Sequence, residues 1–424
     1  MRRVLLLPIV LSSGMLVWCA RDKTPLGPVA APRGPVQLEI PWPSLAKSPW
    51  PMFRHDPQLS GRSPYVGPRK GRIKWAFKPG GTVYSAIVIG EDGAIFFPFC
   101  NGGPGNRSGL YALTPTGEVK WKLLLDLDNE VQPLVTADGT IVLVGHAGPP
   151  DRRVLLTVGQ DGSLEGQFDL PCELSTLLNI GVDGTLYCAM GGDLSAFTKT
   201  GQLLWKVSPN EPGGYFAFQP VAIAPNGGTL YVFEERAGGS SVALRAVGVD
   251  GTDKWSYRLR GTQRSDFCGV DCSGKVSFAT HPLSPADTSG LYCLTPTGEL
   301  RWHYPEYLSD VFLIDWSGFY YLSSGLGGSS VLSVDCEGAL RWKKPFEADL
   351  SGFVCDCEGV IYSCSAAGVN AFNSAGELLW HVPYGIEARS TTRVSCPAIG
   401  ADGTLYVGTY SNYPYSESVV LAIE

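Results

Sequence analysis

Side chains able to do chemistry are thinly spread along this chain. The five histidines, at 55, 146, 281, 303 and 381, include no His-x-x-x-His pair, the spacing that puts two imidazoles on one helical face for a metal. His55-Asp56 has the residue types of an acid–base pair, yet its aperiodic surroundings favour a structural hydrogen bond. His303 and His381 directly follow tryptophans and read as strand residues. The twelve cysteines stand at 19, 100, 172, 188, 268, 272, 293, 336, 355, 357, 364 and 396. Cys268-x-x-x-Cys272 and Cys355-x-Cys357 come nearest to zinc half-sites, but the spacing is poor and no histidine lies beside them. Most of the others sit in apolar runs, as Cys188 does after Tyr187, where a thiol packs as a small hydrophobe. There is no Gly-x-Ser-x-Gly elbow and no Gly-x-x-x-x-Gly-Lys phosphate loop. The expectation is no catalytic residue, no cofactor-binding residue and no metal ligand.

The elements that would position any site follow from one repeated pattern. Gly-x-x-x-Trp occurs at Gly71–Trp75, Gly117–Trp121, Gly201–Trp205, Gly251–Trp255, Gly298–Trp302, Gly338–Trp342 and Gly376–Trp380. A degenerate copy starts at Gly162, with Gly166 in the tryptophan's place and Phe168 two residues on as a substitute. The period is about 44 residues, the length of one propeller blade. On the same beat come turns such as Asp92-Gly93, Asp138-Gly139, Asp183-Gly184, Asn226-Gly227 and Asp402-Gly403. Looser versions end at Gly274, Gly318 and Gly359. Short apolar runs flank each turn, the mark of a β-hairpin.

Each unit thus supplies about four short strands, and one such sheet buries its faces only by stacking on its neighbours. The fold class is all-β: an eight-bladed β-propeller, with seven blades as the alternative because the second repeat is degenerate. Trp75, Trp121, Trp205, Trp255, Trp302, Trp342 and Trp380 read as structural wedges between blades, each burying roughly 150–250 Å². The first tryptophan strand precedes the first hairpin, and the last hairpin is followed only by Val419–Ile423 and the chain end. The N-terminal strand must therefore complete the C-terminal blade, which closes the ring and removes exposed edges.

The segments Gly109–Trp121, Gly290–Trp302 and Pro397–Gly408 resemble the repeats of the quinoprotein-like (PQQ-repeat) β-propellers, and Trp50–Asp56 with Gly61–Pro64 looks like the lead-in of exported bacterial members. The resemblance implies either of two outcomes. One is a dehydrogenase holding pyrroloquinoline quinone and Ca²⁺ on the ring axis. The other is a non-enzymatic, BamB-like envelope lipoprotein whose loops bind protein. The enzymes resemble one another in an adjacent Cys-Cys pair, which this chain lacks. That favours the non-enzymatic outcome; a glycan-binding or sensor propeller is a further alternative.

Organisation and address follow. Residues 1–19 read as an export signal, two arginines ahead of an apolar run too short to span a membrane, ending at Cys19 in a lipobox-like Leu-Val-Trp-Cys. Cys19 is the expected lipidation site, although Trp18 departs from the small residue usual there. Residues 20–49 are a Pro-rich tether, 50–70 the lead-in and 71–424 the propeller. The net charge of −7 offers no basic field for nucleic acid. The expected protein is a monomer of the cell envelope, held to a membrane by its lipid. Its partners would meet the loops 99–109, 146–153, 236–241, 281–289 and 410–417.

Overall fold

The structure, a computed structural model, describes residues 37–424 apart from 84, 101–107, 126–131, 148–151, 171–176, 191, 211, 217–219, 237–240, 261, 283–288, 325–329, 347–349, 366, 385–391 and 412–417. Its strands form eight antiparallel sheets, each a propeller blade. The first blade shows the plan: Val88–Ile89, Ile95–Cys100, Ser108–Leu113 and Val119–Leu125, paired in that order. The first strand of this blade is short and buried at the axis. The fourth is half-exposed at the rim, as the alternating pattern of Val119–Leu125 shows. The eighth blade closes the ring. Ile73–Phe77 pairs with Val420–Ile423, and behind that strand stand Leu405–Ser411 and Ala398–Ile399.

Two tight turns per blade lie on one face of the ring. In the turn between first and second strands, Gly93 has φ +80° and the Asp92 carboxylate accepts from the Ala94 N–H at 2.9 Å. The glycine reaches that left-handed conformation without a Cβ penalty, and the aspartate satisfies a turn donor. The looser turns work differently. Asp271, Asp315 and Asp356 stand two positions earlier, are buried, and each accept two backbone N–H bonds.

The second turn, before the fourth strand, is where the blades lock together. A Cβ on Gly71, Gly117, Gly162, Gly201, Gly251, Gly298, Gly338 or Gly376 would stand between 2.5 and 3.2 Å from an aromatic side chain of the preceding blade. That side chain is Trp380, Trp75, Trp121, Phe168, Trp205, Trp255, Trp302 and Trp342 in turn. Six indole N–H groups go on to donate to the carbonyl two residues before the glycine. They run from Trp75 to Pro115 (2.9 Å), Trp121 to Gln160 (2.7 Å), Trp205 to Val249 (2.9 Å), Trp255 to Pro296 (2.9 Å), Trp302 to Cys336 (2.9 Å) and Trp342 to Ser374 (3.0 Å).

The degenerate repeat keeps the contact and loses the bond. The Phe168 ring folds back over Gly166, and its Cβ meets Gly201. Phenylalanine has no N–H to give. Lys199, from the third blade's turn, instead pairs across the same junction with Asp138 and holds that carboxyl well below the usual carboxylate range.

Two glycines separate backbone strain from packing. Gly298 (φ +86°) would place a Cβ 2.5 Å from the Trp255 ring, whereas Gly184 (φ +86°) has open space around it. Gly184→Ala should cost about 1 kcal/mol, the conformational term alone. Gly298→Ala should cost about 3 kcal/mol or more, because the indole must also move. Thermal melting of the two variants measures the difference.

Candidate functional site

The ring axis is where a propeller of this type offers a central site, and here the chain fills one end of it with its own lead-in. Residues 50–63 cross the tight-turn face and bond to the innermost strands in order around the ring. Ile89 N–H donates to Trp50 O and Val135 N–H to Pro51 O, both at 2.8 Å. Ile223 N–H donates to Pro57 O at 2.8 Å, and Asn179 Nδ2 reaches the same carbonyl at 2.9 Å. Val270 N–H donates to Gln58 O and Cys355 N–H to Gly61 O, both at 3.0 Å. The lead-in does what a bound peptide would do: it satisfies edge groups that point into the channel.

Arg54 sits against the sixth and seventh blades and is 1% exposed. Its Nε donates to Leu59 O (2.9 Å), Nη1 to Phe353 O (3.3 Å), and Nη2 to Phe312 O (2.8 Å) and Ser60 O (3.4 Å). The Cys396 thiol lies near it, and the guanidinium works against the rise that burial imposes on that thiol. A guanidinium carries five N–H donors, so the fork is spent on the protein itself. Burial pulls its pKa below the ordinary value, against the neighbouring Cys396, Asp56 and Cys355.

Among the described residues, the non-glycine positions with φ in the left-handed region are Arg54 (56°), His55 (78°) and Leu59 (57°), all in this segment. Such strain persists only where surrounding contacts over-determine it. The Arg54 network supplies those contacts.

His55 and Asp56 belong to the same structure. The imidazole lies edge-on to Trp50 at 5.2 Å, and Nδ1 stands 3.5 Å from the Asp56 carboxylate. Burial opposes ionisation of Asp56, but His55, Arg62 and Ser60 outweigh it and hold the carboxyl below its usual value. His303 and His381 lie on outermost strands; His303 stacks on Tyr292 at 4.1 Å and His381 bonds Asn370 at 2.9 Å.

The residues do not fit pyrroloquinoline quinone with calcium. Cys355 is buried beside the axis, Cys357 is exposed in a turn, and the buried Asp356 caps the turn between them. They cannot form the vicinal disulfide of the quinone enzymes. Among the described residues no three His, Cys, Asp or Glu side chains group as metal ligands. Ten described cysteines stand as thiols.

Sequence reasoning placed residues 20–49 together as a tether, but the chain is docked on the blades from Gln37 onward. Gln37 N–H donates to Trp316 O at 2.8 Å, and the Trp42 indole to Ile180 O at 2.8 Å. Leu45 is buried and bridges Thr136. Two apolar side chains among the prolines are enough to dock the segment. Beside Pro43 and Ser44 a groove of about 480 Å³ opens between the second and third blades, lined by Asp138, Asp183 and Lys199. Cys19 and most of the loops 99–109, 146–153, 236–241, 281–289 and 410–417 lie outside the described residues. Among the described residues no helix is long and apolar enough to cross a membrane.

The fold and the repeated indole–glycine junction define an eight-bladed β-propeller. A solved structure of BamB from Moraxella catarrhalis is similar over 82% of this chain and 98% of that one, with a TM-score of 0.54 and 13% identity. A protein of unknown function from Bacteroides caccae aligns over 57% of this chain and 93% of its own, at a TM-score of 0.36 and 15% identity. At 13% identity the likeness to the Moraxella catarrhalis structure is one of fold. No protein-family model and no curated protein matches the sequence.

Two measurements probe this region. Arg54→Met leaves several buried carbonyls without donors and the strained backbone without its brace. It should cost about 3 kcal/mol or more and open residues 50–66 to limited proteolysis. Thiol alkylation should separate the cysteines by environment. Burial, with Asp356 and Glu358, pushes the Cys357 thiol up, so its labelling in the folded protein should still be climbing as the pH passes about 9. Cys268 is buried and pushed up to about 12, and should stay unlabelled until the protein unfolds, as peptide mass spectrometry would read.

Proposed function

We propose that this protein is a non-enzymatic propeller that binds other proteins in the bacterial cell envelope, anchored through a lipid on Cys19. The observation that carries the reading is the two-sidedness of the ring. One face is made of tight turns, and its axial opening is stopped by the lead-in, with the Arg54 donors spent on backbone. The second and third strands of each blade connect on the other face, where a rigid scaffold would present loops to a partner. The finer form of the proposal, suggested by the BamB-like fold, is a role in outer-membrane protein assembly.

The test is crosslinking in the native envelope followed by identification of what co-purifies, with Cys19→Ser fractionated in parallel. A protein partner should be captured, and the variant should leave the membrane fraction. The purified chain titrated with pyrroloquinoline quinone and Ca²⁺ should give no saturable absorbance change. A chromophore co-purifying in the absence of any protein partner would overturn the scaffold reading.

A further inference from the structure

The junction between the seventh and eighth blades is built differently from the rest. Trp380 lies against Gly71 as its counterparts lie against theirs, with a Cβ there only 2.7 Å from the ring. Its indole N–H, however, is buried without an acceptor. By the repeat geometry the acceptor would be the carbonyl of Arg69. What bridges the junction is the Arg69 side chain. Its Nη1 stands 2.5 Å from the Asp356 carboxylate and donates to Tyr362 Oη at 2.7 Å, while Nη2 donates to Glu358 at 2.9 Å. Asp356 is fully buried and also accepts from the Gly67 N–H (2.9 Å) and the Tyr362 hydroxyl (3.0 Å).

The same pattern continues along the closing segment. Arg69, Lys70, Arg72 and Lys74 are four cations within six residues, Arg69–Lys74. Each meets an acidic group from the far end of the chain: Asp356 and Glu358 for Arg69, Glu424 for Lys70 and Arg72, and Asp402 for Lys74 at 3.0 Å. Two backbone bonds between Arg72 and Glu424 set the register, at 3.1 and 2.9 Å.

We propose that this seam is an electrostatic zipper, in which a cationic N-terminal strand is captured by an acidic C-terminal end, and that the propeller opens here first. At six of the other junctions a neutral indole bond holds the blades, joined between the fifth and sixth blades by an Arg301–Glu337 pair, and salt leaves the indole bonds largely untouched. The seam carries mostly exposed ion pairs, which salt screens. Opening here would detach Ile73–Phe77 and bare the edge of Val420–Ile423 while the rest of the ring stays closed. The inference does not depend on the proposed scaffold function.

Hydrogen exchange followed by mass spectrometry on the full chain tests it. Raising sodium chloride from about 0.05 to about 1 M should speed exchange in Ile73–Phe77 and Val420–Ile423 by roughly tenfold, with Ser108–Leu113 and Val119–Leu125 unchanged. Arg69→Met should do the same at low salt, Arg69→Lys should restore part of the protection, and Arg69→Met with Asp356→Asn should be no worse than the worse single variant. If Arg69→Met does not fold, the salt series on the unaltered protein decides alone. Equal loosening of all blades, no salt effect at the seam, or earlier opening where Phe168 meets Gly201 would each overturn the proposal.

Discussion

An aromatic ring laid on a bare glycine holds this ring of sheets together. A four-stranded blade cannot bury its two faces by itself, so each must find its neighbour, and the contact that fixes the approach recurs at every junction. The glycine is required twice over. Its backbone takes a left-handed turn, and the ring lies where a Cβ would project. Those two demands fall on one residue type, so the motif tolerates change around it and little within it. Where the tryptophan is lost, in the second repeat, the contact survives through Phe168, and a lysine–aspartate pair takes over from the missing hydrogen bond.

The lead-in plays the complementary part at the axis. The inner strands of a propeller turn backbone groups toward a channel, and something must satisfy them. Here a segment with three strained non-glycine residues does so, braced by one buried arginine. The strain is local and the bonds are distributed over most of the blades, an exchange that a short aperiodic peptide can sustain only inside a closed ring. One consequence is structural asymmetry: the lead-in stops the tight-turn face.

How far the sequence revealed this depended on repetition. The Gly-x-x-x-Trp beat, the Asp-Gly turns and the order of markers at the two ends were enough to expect eight blades closed by the N-terminal strand, and Phe168 could be picked out because it keeps phase. The axial segment could not be read in the same way. It has no period, and nothing about Arg54 in a run of mixed residues signals that its donors will find Phe312 and Phe353, more than two hundred residues away. The docking of residues 37–49 was hidden by their prolines, which suggested a spacer. His55-Asp56 was visible as a pair, and its role became clear only with Trp50 and Ser60 around it. The loops expected to meet a partner differ from blade to blade, and a pattern argument has no purchase on residues that do not repeat.

Closure by the two ends of the chain also has a meaning for biogenesis. The strand Ile73–Phe77 is made early, and its partner Val420–Ile423 follows more than three hundred residues later. Until then the early strand has no partner, and blades made in between form an open arc. A chain lacking Val420–Ile423 would have no partner for Ile73–Phe77, so the ring can shut only after that late strand exists.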